Sequence, residues 1–276
     1  MMKSAAIKED FPVVQFDTGG VEVKLWEETK SVVGEISLKI MINGVDYASL
    51  LCVNQFQKEM ALGFLYNEGV INGWSDVKNI DFNEGHFTVA VELNERLNLT
   101  VGDSFRSVTS GCGKCYTYIK PTYRDLYVAN TSDSRYELKR ITDLMKEFNR
   151  EPPIFNAFGG VHAAKYVGEG FSVLVEDIGR HNCIDKIAGI LLSEGKGRSG
   201  GMMLVSGRIS SEIVTKIVRM GVPLIASRST PTIPALKLAE QYGITLLGYV
   251  REGRGVIYAG KERIEEVFRM SDPNKN

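Results

Sequence analysis

With 276 residues, 43% of them hydrophobic and 24% charged, and a formal net charge of −1, the chain has the make-up of a soluble globular protein, enough for one large domain or two ordinary ones. The near-neutral balance supplies no overall attraction to nucleic acid, so any anion site has to be local. Cys112 and Cys115 lie close together and Cys52 and Cys183 far from them, which is not the framework of a secreted, disulfide-stapled protein; a reducing cytoplasm is the expected setting. Residues 1–12 carry Lys3, Lys8, Glu9 and Asp10 without an apolar core, unlike a signal peptide or anchor. No stretch approaches the roughly 18 apolar residues of a membrane span.

Residues 13–52 favour strands. Residues 37–41 alternate their faces ahead of Asn43-Gly44, a dipeptide suited to the positive φ angles of a tight hairpin, and residues 45–52 supply the return strand. A helix fits residues 56–68, where Phe56, Met60, Ala61, Phe64 and Leu65 recur at three- and four-residue spacing and predict one core-facing stripe. Residues 77–82 and 86–93 flank Asn83-Glu84-Gly85 as a second hairpin, with His86 a structural residue on its return strand. Residues 1–104 thus read as a smaller N-terminal α+β region. Residues 105–125 keep no regular period, contain Gly111, Gly113 and Pro121, and read as a mobile loop.

Residues 126–276 read as an α/β domain. Ser134-Arg135-Tyr136-Glu137 has the form of a capping box ahead of Leu138, Ile141, Leu144, Met145 and Phe148, which predicts a helix to residue 149 that Pro152-Pro153 ends. Strand-like runs at 171–176, 202–205, 224–226 and 244–250 then alternate with helical stripes. These stripes comprise Ile184, Ile187, Ala188 and Leu191, then Ile213, Ile217 and Met220, then Leu236 and Leu238. Strand, helix, strand in this order predicts parallel neighbours joined by right-handed crossovers, a sheet with covering helices.

In such a sheet ligands bind beyond the carboxyl ends of the strands. The residues there are Asp177-Ile178-Gly179-Arg180-His181-Asn182, Ser206-Gly207-Arg208, Ser227-Arg228-Ser229-Thr230 and Arg251-Glu252-Gly253-Arg254. Glycine backbone, hydroxyls and several arginines in one place suit a phosphorylated ligand, because guanidinium groups and unhindered N–H groups both donate to phosphate oxygens. A single Gly-Arg pair is usually a solvated turn; four such loops after successive strands make the pattern informative. Neither a Gly-x-x-x-x-Gly-Lys-[Ser/Thr] loop nor an early Gly-x-Gly-x-x-Gly is present. His162, after Gly159-Gly160, and His181 lie in glycine-rich settings that suit ligand binding or proton transfer.

Cys112-Gly113-Lys114-Cys115 admits three chemistries. A zinc site needs two further ligands, and no second Cys-x-x-Cys exists; His181 and Cys183 would serve only if the fold brought them in. A dithiol oxidoreductase places its pair at the start of a helix after a strand. A sulfur carrier needs a thiolate that moves between donor and acceptor, which suits the flanking glycines. Arg106, Lys114, Lys120 and Arg124, against Asp125 alone, favour that thiolate.

Taken together, the residues resemble the formate dehydrogenase accessory sulfurtransferases, the FdhD family. The resemblance runs through Ala61-Leu62-Gly63-Phe64-Leu65 with Glu68-Gly69, the Cys112–Cys115 loop, residues 159–164, 176–182, and Asp185-Lys186. It continues in Ser206-Gly207-Arg208 with Glu212-Ile213-Val214, then Pro231-Thr232, Leu238-Ala239-Glu240, residues 243–246 and Gly248-Tyr249. The resemblance implies a cytoplasmic homodimer, binding neither membrane nor nucleic acid, that takes sulfur from a cysteine desulfurase and passes it to the molybdenum or tungsten bis-molybdopterin guanine dinucleotide cofactor of formate dehydrogenase, bound as a substrate with no intrinsic metal. Cys112 would carry the persulfide with Cys115 as its partner. Tyr249, Val250, Arg251, Glu252, Gly253 and Arg254 would contact the cofactor, together with Gly160, His162, Asp177, Arg180, His181, Ser206, Gly207, Arg208 and Ser229. The C-terminal fold would be a three-layer, cytidine-deaminase-like sheet. Deaminase chemistry would not follow, since His162-Ala163-Ala164 lacks the catalytic Glu of the zinc signature. Departures from the family pattern are Tyr116, Phe158, Cys183 and Gly255. A zinc-dependent hydrolase and a non-catalytic, cofactor-binding chaperone are the alternatives.

Overall fold

A computed structural model describes residues 7–94, 106–108, 127–196 and 201–271. Strands β1 (Lys8–Asp17) and β2 (Lys24–Val33) form an antiparallel ribbon. Phe11, Val14, Phe16, Leu25 and Trp26 remain exposed on it. Next comes the hairpin of β3 (Ile36–Ile42) and β4 (Val45–Cys52), whose turn holds Asn43 at φ 50° and Gly44 at φ 81° as the dipeptide predicts. Strict alternation buries Ile36, Leu38, Ile40 and Ile42 on one face of β3.

Helix α1 (Gln57–Asn67) departs from the expected single stripe. Every residue from Met60 to Asn67 is buried, while Phe56 caps the helix in a left-handed conformation and stays 40% exposed. A sheet on one side and another helix on the other require apolar residues all round. Two glycines make this possible. A Cβ on Gly63 would stand 1.7 Å from the Asp185 carbonyl oxygen, and one on Gly189 would stand 1.8 Å from that of Glu59, so the two backbones meet directly. Strands β5 (Val77–Asn83) and β6 (Thr88–Leu93) enclose a single 3-10 turn, Glu84–His86. His86 therefore sits in the turn rather than on the return strand. With β7 (Arg106–Val108) the order in this mixed sheet is β5-β6-β3-β4-β7.

Helix α2 (Leu138–Phe148) buries Ile141, Met145 and Phe148 as the pattern predicts. The capping box does not form. Glu137 is the cap residue and makes no side-chain cap bond. Instead the Leu138 N–H donates to the Glu266 carboxylate, at 3.0 and 3.2 Å. Pro153, expected to end a helix, starts α3 (Pro153–Phe158), where its missing N–H costs nothing. Glu176 caps that helix by accepting the N–H groups of Ile154 and Phe155.

The remaining elements are β8 (His162–Gly168), β9 (Phe171–Asp177), α4 (Arg180–Ser193), β10 (Met202–Val205), α5 (Ser211–Arg219), β11 (Leu224–Ser227), α6 (Ile233–Gln241), β12 (Thr245–Arg251), β13 (Arg254–Ala259) and α7 (Glu265–Ser271). The second sheet runs β13-β12-β11-β10-β8-β9. Strands β10, β11 and β12 are parallel neighbours, as expected. Strands β9 and β10 are not neighbours, because β8 lies between them, antiparallel to both. Ala164, Met203, Val205, Ile225 and Leu246 pack in one core with residues of α1, α4, α5 and α6. Ala163, Met202, Leu204, Ala226 and Leu247 pack on the other face with Ile141, Met145 and Phe148 of α2. Burial on both faces explains why β10 and β11 read as unbroken apolar runs. The fold is a mixed α/β structure, and among the described residues no helix is long and apolar enough to cross a membrane.

Candidate functional site

One edge of the second sheet collects the chemistry-bearing loops. The carboxyl ends of β9, β10, β11 and β12 open there, and so do the amino ends of the antiparallel strands β8 and β13, since His162 pairs with Asp177 and Arg251 with Arg254. The loops support one another. The Ser227 hydroxyl donates to the Gly207 carbonyl at 2.7 Å, the Tyr249 amide to the Ser229 carbonyl at 2.9 Å, and Arg251 Nε to the Arg228 carbonyl at 2.8 Å. The turn after β12 puts Glu252 and Gly253 at φ 47° and 75°, the two positive angles of a tight hairpin turn, and leaves Arg251 and Arg254 exposed on either side. Tyr249 is itself held at φ 53° with half of its surface exposed.

Two residues of the expected ligand set face inward. Val250 is 1% exposed and belongs to the core. Asp177 is fully buried, and its carboxylate accepts bonds from the N–H groups of Val53 (3.1 Å) and Gly179 (2.9 Å) and from Asn182 Nδ2 (2.6 Å). Lys186 Nζ completes the shell at 2.7 Å, also fully buried. Asp177 therefore shapes the turn from β9 into α4 and ties it to the end of β4.

His162, Ser206, Gly207 and Arg180 do come together. A Cβ on Gly207 would lie 3.1 Å from His162 Nδ1 and 3.5 Å from Arg180 Cδ, so the ring and the arginine stem meet over that glycine. His162 Nδ1 is 3.5 Å from the Ser206 hydroxyl oxygen, which accepts the Ala163 N–H at 2.9 Å. Burial, and then the charges of Arg180 and Arg228, hold the imidazole below its ordinary titration range. Gly160 (φ 72°) and Arg208 are exposed beside this group, and Ser229 is half-buried.

His181 points elsewhere. Its Nε2 lies 3.1 Å from the Glu212 carboxylate and 3.4 Å from the hydroxyl of Ser210, the residue that caps α5. The hydrogen bond to His181 holds the Glu212 carboxyl below its usual range. Cys183 lies inside α4, its thiol donating to the His162 carbonyl at 3.5 Å, so His181 and Cys183 do not pair as ligands. Burial raises the titration of the Cys183 thiol and lifts that of Cys52 to about 12. Neither is a thiolate at neutral pH. Cys112 and Cys115 lie outside the described residues, as does the expected mobile loop of residues 105–125 except for Arg106–Val108, which form strand β7 against β4 instead of irregular chain.

Arg228 was visible in the sequence only as part of a loop. In the structure its guanidinium lies over the Phe155 ring, 4.9 Å from the centroid, and its Nε donates to the Ser206 carbonyl at 3.3 Å. Partial burial, followed by Arg251, depresses its proton affinity. The rule that arginines after parallel strands gather at one edge would have picked it out. Phe155 carried no such signal, because it reaches the edge from α3.

The FdhD/NarQ family profile matches residues 33–265. The sulfur carrier protein FdhD of Staphylococcus haemolyticus is 33% identical over 261 residues, covering 92% of this chain and 95% of that one. The chain belongs to the FdhD/NarQ family. The sulfur carrier protein FdhD of Listeria innocua is 34% identical to this FdhD/NarQ chain over 243 residues, with 86% and 93% covered. A crystal structure from Desulfotalea psychrophila, described as a formate dehydrogenase accessory protein, superimposes with a TM-score of 0.75 at 23% identity, over 94% of this chain and all of that one. That likeness shows a shared fold.

Proposed function

We propose that this FdhD/NarQ chain is a sulfur carrier in formate dehydrogenase maturation, taking sulfur from a cysteine desulfurase and delivering it to a molybdenum or tungsten bis-molybdopterin guanine dinucleotide held as substrate. The name borne by its relatives supports the sulfur-carrying role. The observation that carries the acceptor side is the cationic edge, where Arg180, Arg228, Arg251 and Arg254 surround strand ends and glycine turns fit for a diphosphate.

In the forward step the Cys112 thiolate attacks the outer sulfur of the desulfurase persulfide. The S–S bond of the donor breaks, its cysteine leaves as a thiolate, and Cys112 holds the sulfur as its own persulfide. Cys115, with two residues between it and Cys112, is a second thiol for release or protection of that sulfur. The residues of the edge would bind and orient the cofactor; a cytoplasmic homodimer is the working form.

Mass analysis after incubation with a cysteine desulfurase and cysteine tests the donor side. One added sulfur on Cys112 or Cys115 is expected, and its absence overturns the relay. Replacing Cys112 with Ala should preserve guanine-nucleotide binding while abolishing activation of formate dehydrogenase. Retention of both would instead identify a cofactor-binding chaperone, and stoichiometric zinc lost with Cys112 would identify a metalloenzyme.

A further inference from the structure

His162 occupies an unusual electrostatic position. Its ring meets the Arg180 stem over Gly207, and Arg228 is anchored to the carbonyl of Ser206, the preceding residue. The charged or titratable groups acting on it are Arg180 and His181 from α4, Arg228 after β11, and Asp177 at the end of β9. Only Asp177 is negative, and it already faces Lys186 at 2.7 Å. Among the described residues no partner occupies His162 Nε2, while Nδ1 faces the Ser206 hydroxyl. Two fixed cations, Arg180 and Arg228, therefore flank an imidazole with one nitrogen left for a ligand, while His181 is turned toward the Glu212 carboxylate.

Resting on the cofactor-binding role proposed above, we infer that His162 is the adjustable member of a phosphate subsite formed with Arg180 and Arg228, accepting a proton when the anion arrives and losing it when the anion leaves. The two guanidinium groups stay charged throughout, so they attract the phosphate but repel a proton from the empty site. A bound phosphate reverses the field at the ring, because an opposite charge within a few ångströms favours the protonated form. The imidazolium then donates from Nε2 to a phosphate oxygen, a charge-assisted bond absent from the empty protein. Linkage requires the reverse as well: acidification from the bound-state titration midpoint toward the free one tightens the ligand, and alkaline conditions release it. Gly207 is part of the device, since a side chain there would press on the ring.

The chain has three histidines, His86, His162 and His181, so the imidazole resonances can be followed individually by NMR. Their titrations should be recorded on the full chain alone, with guanosine, and with guanosine diphosphate. His162→Gln assigns the signal; should that variant fail to fold, His86→Gln and His181→Gln assign it by elimination. Guanosine diphosphate should raise the His162 midpoint by about one pH unit or more, the scale for a nearby opposite charge, and guanosine should leave it in place. The wild-type affinity should then rise up to about tenfold relative to His162→Gln as the pH falls across that window. Binding of the diphosphate with an unmoved His162 midpoint overturns the inference while sparing the cofactor site. No binding at millimolar diphosphate removes the cofactor site, and this inference with it.

Discussion

The turn from β9 into α4 separates two charged clusters built in opposite ways. Asp177 and Lys186 are both fully buried, oppositely charged, and surrounded by donors and acceptors that complete their shells. Three residues past Asp177, Arg180 joins Arg228 beside the His162 imidazole in a half-buried group whose two fixed charges are both positive. Balanced and dry, the first cluster holds loops in place and has no bond left to offer. The second places two guanidinium groups and an imidazole at the sheet edge, where they would attract an anion. Residues next to one another in sequence can thus belong to a structural node or to the proposed anion site, and burial distinguishes them.

That contrast makes its strongest demand on Lys186. Lys186→Met should destabilise the protein by about 3–5 kcal/mol in urea unfolding, because the Asp177 carboxylate would stay buried without its cation. Adding Asp177→Asn should recover part of the loss; a Lys186→Met protein of unchanged stability would erase the distinction. Arg228→Ala should cost much less stability, about 1 kcal/mol for its contact with Phe155 and its bond to the Ser206 carbonyl. It should weaken guanosine diphosphate binding by about 1.5–3 kcal/mol, the scale of a charged hydrogen bond, as read by calorimetry. In the free protein it should also raise the His162 midpoint.

A further test follows from the sign of the His162 shift. Because its folded-state midpoint lies below the unfolded value of about 6.5, the unfolded chain binds the extra proton between the two. Stability should therefore fall as the pH drops below about 6.5 toward the folded midpoint, with this residue contributing a slope of at most about 1.4 kcal/mol per pH unit. His162→Gln should remove that component from a series of unfolding curves. The smallest effect is expected at Ser210, which caps α5 through the Ile213 N–H and faces His181. Ser210→Ala should cost about 1 kcal/mol of stability, and the Glu212 carboxyl, followed by NMR, should keep its low titration because His181 is its main partner.

Much of the architecture was legible along the chain. The Asn43-Gly44 hairpin, helix α2 and the parallel run of β10, β11 and β12 follow from turn chemistry and periodicity, which are local properties. Strand β8 was not legible, for a particular reason. Both of its faces are covered, yet Lys165 sits in its middle, accommodated by the Glu151 carboxylate at 2.7 Å, so neither alternation nor an unbroken apolar run marks it. The cap of α2 was hidden for a different reason: Glu266, which supplies it, lies 128 residues away.

At the edge itself, chain order was enough to bring the basic and glycine-rich loops together, because parallel strands point their carboxyl ends the same way and each short loop follows its strand. It was not enough to sort the charges. Asp177 looked like a ligand residue until Val53, 124 positions away, and Lys186 were seen to use its oxygens. Arg228 looked like one residue of a turn until Phe155 and the Ser206 carbonyl fixed its guanidinium beside His162. Sequence carries the identity and local spacing of charges, whereas burial and pairing depend on which distant backbone comes to lie against them, and that is set only when the sheets and helices pack.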